Sequence, residues 1–99
     1  MGSSENAGHV AHRLVIRGRV QGVWFRGWTV ETALSLGLDG WVRNRRDGRV
    51  EAVFAGPEAA VAEMLRACHE GPRFAAVSNV EELAHNEAIS RGFRLLPTA

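Results

Sequence analysis

Residues 39–56 constrain the fold more than any other stretch. The runs "DGWVRN" and "RVEAVFAG" are short and strand-like, and they are joined through "RRDG", whose Asp47-Gly48 pair suits a tight turn needing positive φ. Val50, Ala52 and Phe54 alternate against Glu51, Val53 and Ala55, so one face of this hairpin is expected to be the more buried. A helical pattern stands on each side of it. Residues 25–36 carry no turn residue except Gly27, and Val30, Ala33, Leu34 and Gly37 recur at helical spacing, with Gly37 placed as a left-handed cap. The segment "GPEAAVAEMLRACHEGP" has Pro57 and Glu58 in its first turn, an apolar stripe of Val61, Met64, Leu65 and Cys68, and Gly71-Pro72 to end it. "HRLVIRGRV" reads as a first strand, while "FAAVSNVEELA" and the short "GFRLL" are the strand candidates at the other end. The resulting order is βαββαβ with a short final strand-like piece. That order predicts an α+β, ferredoxin-like split βαβ sandwich, with an antiparallel sheet and two helices on one face.

The chain has 99 residues, 45% of them apolar, enough for one modest core. Residues 1–11 are small and polar and are expected to form a disordered tail, leaving residues 12–99 as the domain. A net charge of +1 points to neither a long polyanion nor a membrane surface. The positive charge is all arginine, and Arg17, Arg19, Arg26, Arg43, Arg45, Arg46 and Arg49 crowd residues 17–49. Guanidinium forks match phosphate and carboxylate, so the crowding suggests a local anion site; a coding bias that replaces lysine throughout is the plainer alternative. Cys68 is the only cysteine, which precludes an internal disulfide and fits a reducing compartment. The start "MGSSENAGHVAH" lacks a basic, apolar leader and has Asn6 where myristoylation wants Ser or Thr, and no apolar run approaches the roughly 20 residues that cross a bilayer. A cytoplasmic protein is the expectation.

The stretch "GRVQGVWFRGW", residues 18–28, joins the first strand to the first helix. The opening amides of a helix lack intrahelical acceptors, and with the positive end of the helix dipole behind them they bind anions. Gly22 allows backbone to approach a ligand without a Cβ in the way, and Arg26 adds a charge that persists at any working pH. A structural turn beside a surface arginine is the bland alternative. A second element is Asn44, which closes "GLDGWVRN" just before the hairpin turn, on a strand that this topology can return to the loop.

With "GRVQGVWFR", "LGLDGWVRN" and "DGRVEAVFAGP" at compatible spacing, the chain resembles the acylphosphatase family over residues 13–96. The resemblance implies hydrolysis of the mixed anhydride of a carboxylic acid and phosphate, with no metal and no cofactor. Arg26 matches the family's phosphate-binding arginine and Asn44 its water-orienting asparagine, while the amides of Gln21, Gly22, Val23 and Trp24 match its cradle for phosphoryl oxygens. An acyl phosphate has a good leaving group, so holding the phosphoryl group and aiming a water suffice without a strong base. Two departures stand out. Arg45 follows Asn44 where many members carry a small hydroxyl residue, so Asn44 must be supported differently; and the chain has no tyrosine, so "FRLLPTA" is expected to pack loosely.

Other chemistry is disfavoured. His9, His12 and His85 are scattered, Cys68 and His69 are adjacent on a helix and diverge, and no set has metal-ligand spacing. Cys68 lies on an apolar stripe as an inert thiol, and Asp39, Asp47 and Glu51 read as turn and exposed-strand residues rather than an acid pair. Trp24, Trp28 and Trp41 read as core or site-wall aromatics. The alternative function is a non-enzymatic ferredoxin-like module that binds nucleic acid or an anion, but nucleic acid is disfavoured because the central strands offer only Phe54 for stacking. The expected partner is a small-molecule acyl phosphate met by a monomer, with no metal and no membrane.

Overall fold

The structure, a computed structural model, describes residues 8–99. The elements in chain order are β1 (His9–Arg19), α1 (Phe25–Ser35), β2 (Asp39–Asn44), β3 (Val50–Pro57), α2 (Glu58–Glu70), β4 (Ala76–Ala84) and β5 (Phe93–Leu95). Strand order across the sheet is β4-β1-β3-β2-β5, and both helices pack on it through one shared core. The ferredoxin-like order expected from sequence is present. The sheet is mixed rather than wholly antiparallel, however, because β5 adds itself parallel to β2, with Gly40 opposite Phe93.

The sheet also begins earlier than expected. His9, Val10 and Ala11, assigned to the tail, are the start of β1 and pair with Pro57, Gly56 and Ala55. Backbone pairing needs no apolar side chain at every position, and Val10 adds packing against the core. The rest of the expected tail, residues 1–7, lies outside the described residues.

Alternation sorts the strands into two faces. Leu14, Ile16, Val42, Val50, Ala52 and Phe54 meet Phe25 and Ala33 of α1 and Val61, Met64 and Cys68 of α2. Fully burying each large aliphatic or aromatic side chain contributes on the order of 1.5–3 kcal/mol. The other face departs from expectation, since Glu51 and Val53 are as buried as their neighbours, at 1% and 0% exposure. The cause is position: β3 lies inside the sheet, and Val53 stands opposite Arg13 on one side and Trp41 on the other. Long arginine stems cover what lies beneath them, and the Arg43 guanidinium lies 4.8 Å from the centre of the Trp41 ring.

Helix α1 ends as its sequence predicts. The amides of Gly37 and Leu38 return to the carbonyls of Leu34 and Ala33, at 3.1 and 2.9 Å, and Gly37 supplies the left-handed φ of 70° that this closure requires. Buried Leu38 then delivers the chain into β2, whose last residue is Asn44.

Candidate active site

The loop between β1 and α1 is anchored at both ends and open between them. The register of β1 against β4 slips between Arg17 and Gly18, Val20 is buried directly after the strand, and Phe25 is buried at the first turn of α1 against the edge of Trp28, ring centres 5.3 Å apart. Two left-handed residues curl the loop between these anchors: Gly22 at φ 74° and Trp24 at φ 65°. For tryptophan this conformation costs roughly 1–2 kcal/mol, a cost that concentrates at functional sites. Among the described residues, the amides of Gln21, Gly22, Val23 and Trp24 have no hydrogen-bond acceptor. Helix α1 has neither a side-chain cap nor an acidic residue in its first turn, so its positive end is not neutralised locally.

That end opens on a pocket of about 210 Å³. The loop contributes Val20, Gln21, Gly22 and Trp24, the helix start contributes Phe25, Arg26 and Gly27, and Asn44 and Leu95 close the far wall. Five of the six residues singled out from sequence thus meet at one place. Val23 does not line the pocket, and its side chain packs against the core instead. Trp24 is 60% exposed on the rim, with its indole laid against Gly27 so closely that a Cβ there would fall 2.0 Å from Nε1.

The electrostatics single out Arg26. The crowd of arginines divides: Arg13, Arg43 and Arg45 converge on Glu51 on the open face of the sheet, at 2.7, 2.9 and 2.8 Å, and Arg49 pairs with Asp47. Arg17, Arg19, Arg26 and Arg46 have no acidic partner among the described residues, and of these Arg26 alone lines the pocket. Glu51 is therefore a buried hub of three ion pairs rather than an exposed strand residue. Burial alone would push its carboxyl up, but hydrogen bonds from Arg43 and Arg45 outweigh that and hold it below its ordinary value. Asp47, hydrogen-bonded by the side chain and backbone of Arg49, is lowered to about 2.

Asn44 shares its face of β2 with Val42, toward the helices, while Arg45 turns to Glu51 on the opposite face. This resolves how Asn44 is supported beside an arginine. Its carbonyl accepts from the Ala99 amide at 3.0 Å, and the carbonyl of Arg45 accepts from the Gln21 side chain at 2.8 Å. The final segment is accordingly tied down, not loose, with the Leu96 amide on the Val42 carbonyl and the Arg46 amide on the Ala99 carbonyl. The Asn44 Oδ1 is buried without a hydrogen-bond partner among the described residues, an arrangement that costs free energy until a ligand or water satisfies it. Leu95 and the Gln21 side chain were not evident from sequence, because a parallel pairing and a bond to backbone carbonyls leave no local pattern.

Among the described residues, no three His, Cys, Asp or Glu side chains group to hold a metal, and no helix is long and apolar enough to cross a membrane. Burial pushes the Cys68 thiol up to about 12, which leaves it inert at neutral pH. Phe54, the aromatic that base stacking would need, faces the helices and stacks on Phe93.

Comparison with known proteins bears on the family and the fold. The family model described as Acylphosphatase matches residues 12–95. An acylphosphatase of Rhizorhabdus wittichii is 46% identical over 98 residues, 99% of each chain. The solved structure of an acylphosphatase from Coxiella burnetii superposes with a TM-score of 0.88 at 32% identity, covering 95% of this chain and 99% of that one. For the acylphosphatase of Bacillus subtilis the values are 0.83, 34%, 88% and 98%.

Proposed function

The chain belongs to the acylphosphatase family, and from that premise we propose how its own residues hydrolyse an acyl phosphate. The phosphoryl oxygens are held by the amides of Gln21, Gly22, Val23 and Trp24 at the positive end of α1, with the Arg26 guanidinium neutralising the charge that builds up as the bond to the leaving group stretches. The Asn44 carboxamide accepts from and donates to a water, and holds it opposite the acyl oxygen. The water oxygen forms a bond to phosphorus, the bond from phosphorus to the acyl oxygen breaks, and its electron pair leaves on the carboxylate. The water's proton passes to a phosphoryl oxygen, so the substrate serves as its own base. Neither a metal nor a titrating side chain enters any step.

One observation carries this reading: a single pocket joins an arginine without an acidic partner, loop amides without acceptors, and an asparagine whose buried oxygen has no partner. The test is turnover of benzoyl phosphate in excess EDTA with inorganic phosphate as competitor. EDTA-resistant turnover, competitively inhibited by phosphate, is expected. Turnover abolished by EDTA, or untouched by phosphate, would remove the metal-free cradle.

A further inference from the structure

The Gln21 side chain does something that its place in the loop does not require. Its Nε2 donates to the carbonyl of Arg45 at 2.8 Å and to that of Arg49 at 2.9 Å. These carbonyls are the two ends of the turn that follows Asn44, which is itself closed by the Arg45 amide on the Arg49 carbonyl, at 2.8 Å, and the Gly48 amide on the Arg45 carbonyl, at 3.1 Å. One carboxamide therefore spans the base of the turn, with both of its hydrogens engaged. It has none left for an anion, which separates its side chain from the work of its own backbone amide.

We propose that the Gln21 side chain is a positioning residue that sets the separation between the phosphate cradle and Asn44. The Asn44 Oδ1 has no partner of its own, so the backbone around it fixes where the carboxamide sits. That backbone is held by β3 through Val50, by the Ala99 amide, and by Gln21. Of these, Gln21 alone comes from the loop that carries the cradle. Residue 45 is gripped from both faces, its side chain by Glu51 and its carbonyl by Gln21. Without the carboxamide, loop and hairpin shift relative to each other. A displacement of about an ångström between a bound group and its attacking water costs up to about a hundredfold in rate, while leaving each half of the site intact.

The inference rests on the reading of Asn44 as the group that orients water. Gln21→Met keeps the length and removes both donors; Gln21→Asn keeps the donors and is too short to reach both carbonyls. Each is measured for kcat and KM on benzoyl phosphate and for inhibition by inorganic phosphate, alone and combined with Asn44→Ala, with a thermal melt as the check on folding. The expected result is a fall in kcat of about tenfold or more with phosphate inhibition changed by about twofold or less, and a further loss of about twofold or less once Asn44 is gone. Unchanged kcat, an equal loss in both backgrounds, phosphate inhibition weakening in step with kcat, or loss of the folded state in both variants would each overturn it. Full turnover by Asn44→Ala alone would overturn the water-placing reading and this inference together, whereas an impaired Asn44→Ala beside a normal Gln21→Met would overturn this inference only.

Discussion

The two helices begin in opposite ways. At α2 the protein satisfies the helix itself: Pro57 precedes the first turn, Glu58 places a carboxylate on the positive end, and the Glu58 amide is taken up by the Gly8 carbonyl. Neither helix has a side-chain cap, but at α1 there is also no acid in the first turn, the residue before the helix is a tryptophan in a left-handed conformation, and the charged residue nearby is Arg26. The α1 end is left unsatisfied at a conformational cost and has a positive rather than a negative neighbour, which supports the anion-binding role proposed for it. The arginines carry the same contrast. In the hairpin Arg43, Arg45 and Arg49 are matched to Glu51 and Asp47, and Arg46 lies outside the pocket that Arg26 lines.

The largest test of the contrast is Arg26→Ala, which makes the α1 end as poor in charge as a capped helix. Steady-state kinetics should show kcat/KM reduced by about a thousandfold, about 4 kcal/mol of transition-state stabilisation, with phosphate inhibition lost alongside. Next is Glu51→Ala, which frees the matched arginines. Breaking a buried ion pair costs about 3–5 kcal/mol, but these guanidinium groups are roughly a third exposed, so denaturant unfolding should show a loss nearer about 2 kcal/mol. Acid reproduces part of this. Because the folded-state pKa of Glu51 lies below its ordinary value of 4.5, its contribution is complete above that pH and is lost as pH falls through the lower folded value, and unfolding curves across that window should show stability declining. Gly22→Asp gives α1 the carboxylate that α2 already has. The site is open around a Cβ there, and aspartate tolerates left-handed φ, so the variant should fold while phosphate inhibition weakens by about tenfold, or about 1.4 kcal/mol. Smallest is Glu58→Gln, which removes the carboxylate from α2: a stability loss of about 0.5 kcal/mol in denaturant melts, with kinetics unchanged.

What could be read from sequence follows the range of the interactions. Both helices, the Asp47-Gly48 turn and the cap at Gly37 were legible because each depends on residues a few positions apart. The meeting of Arg26 with Asn44 was legible only because two motifs matched a known topology. Glu51 was misread, since a carboxylate alternating with apolar residues looks exposed until arginines from β1 and β2 and from the turn arrive over it. The parallel pairing of β5 on β2, which brings Leu95 to the pocket, is set by long-range register and has no local signature. The Gln21 bonds were hidden for another reason: their acceptors are backbone carbonyls, which every residue possesses.

In the proposed reaction the α1 end holds the phosphoryl group and water attacks it there. Hydrolysis of benzoyl phosphate in water enriched in heavy oxygen, with the products separated and weighed by mass spectrometry, tests this most directly. One heavy oxygen per inorganic phosphate and none in the benzoate is the result predicted. Heavy oxygen in the benzoate would place the attack on the acyl carbon and contradict the assignment of Arg26, the loop amides and Asn44 to the phosphoryl group.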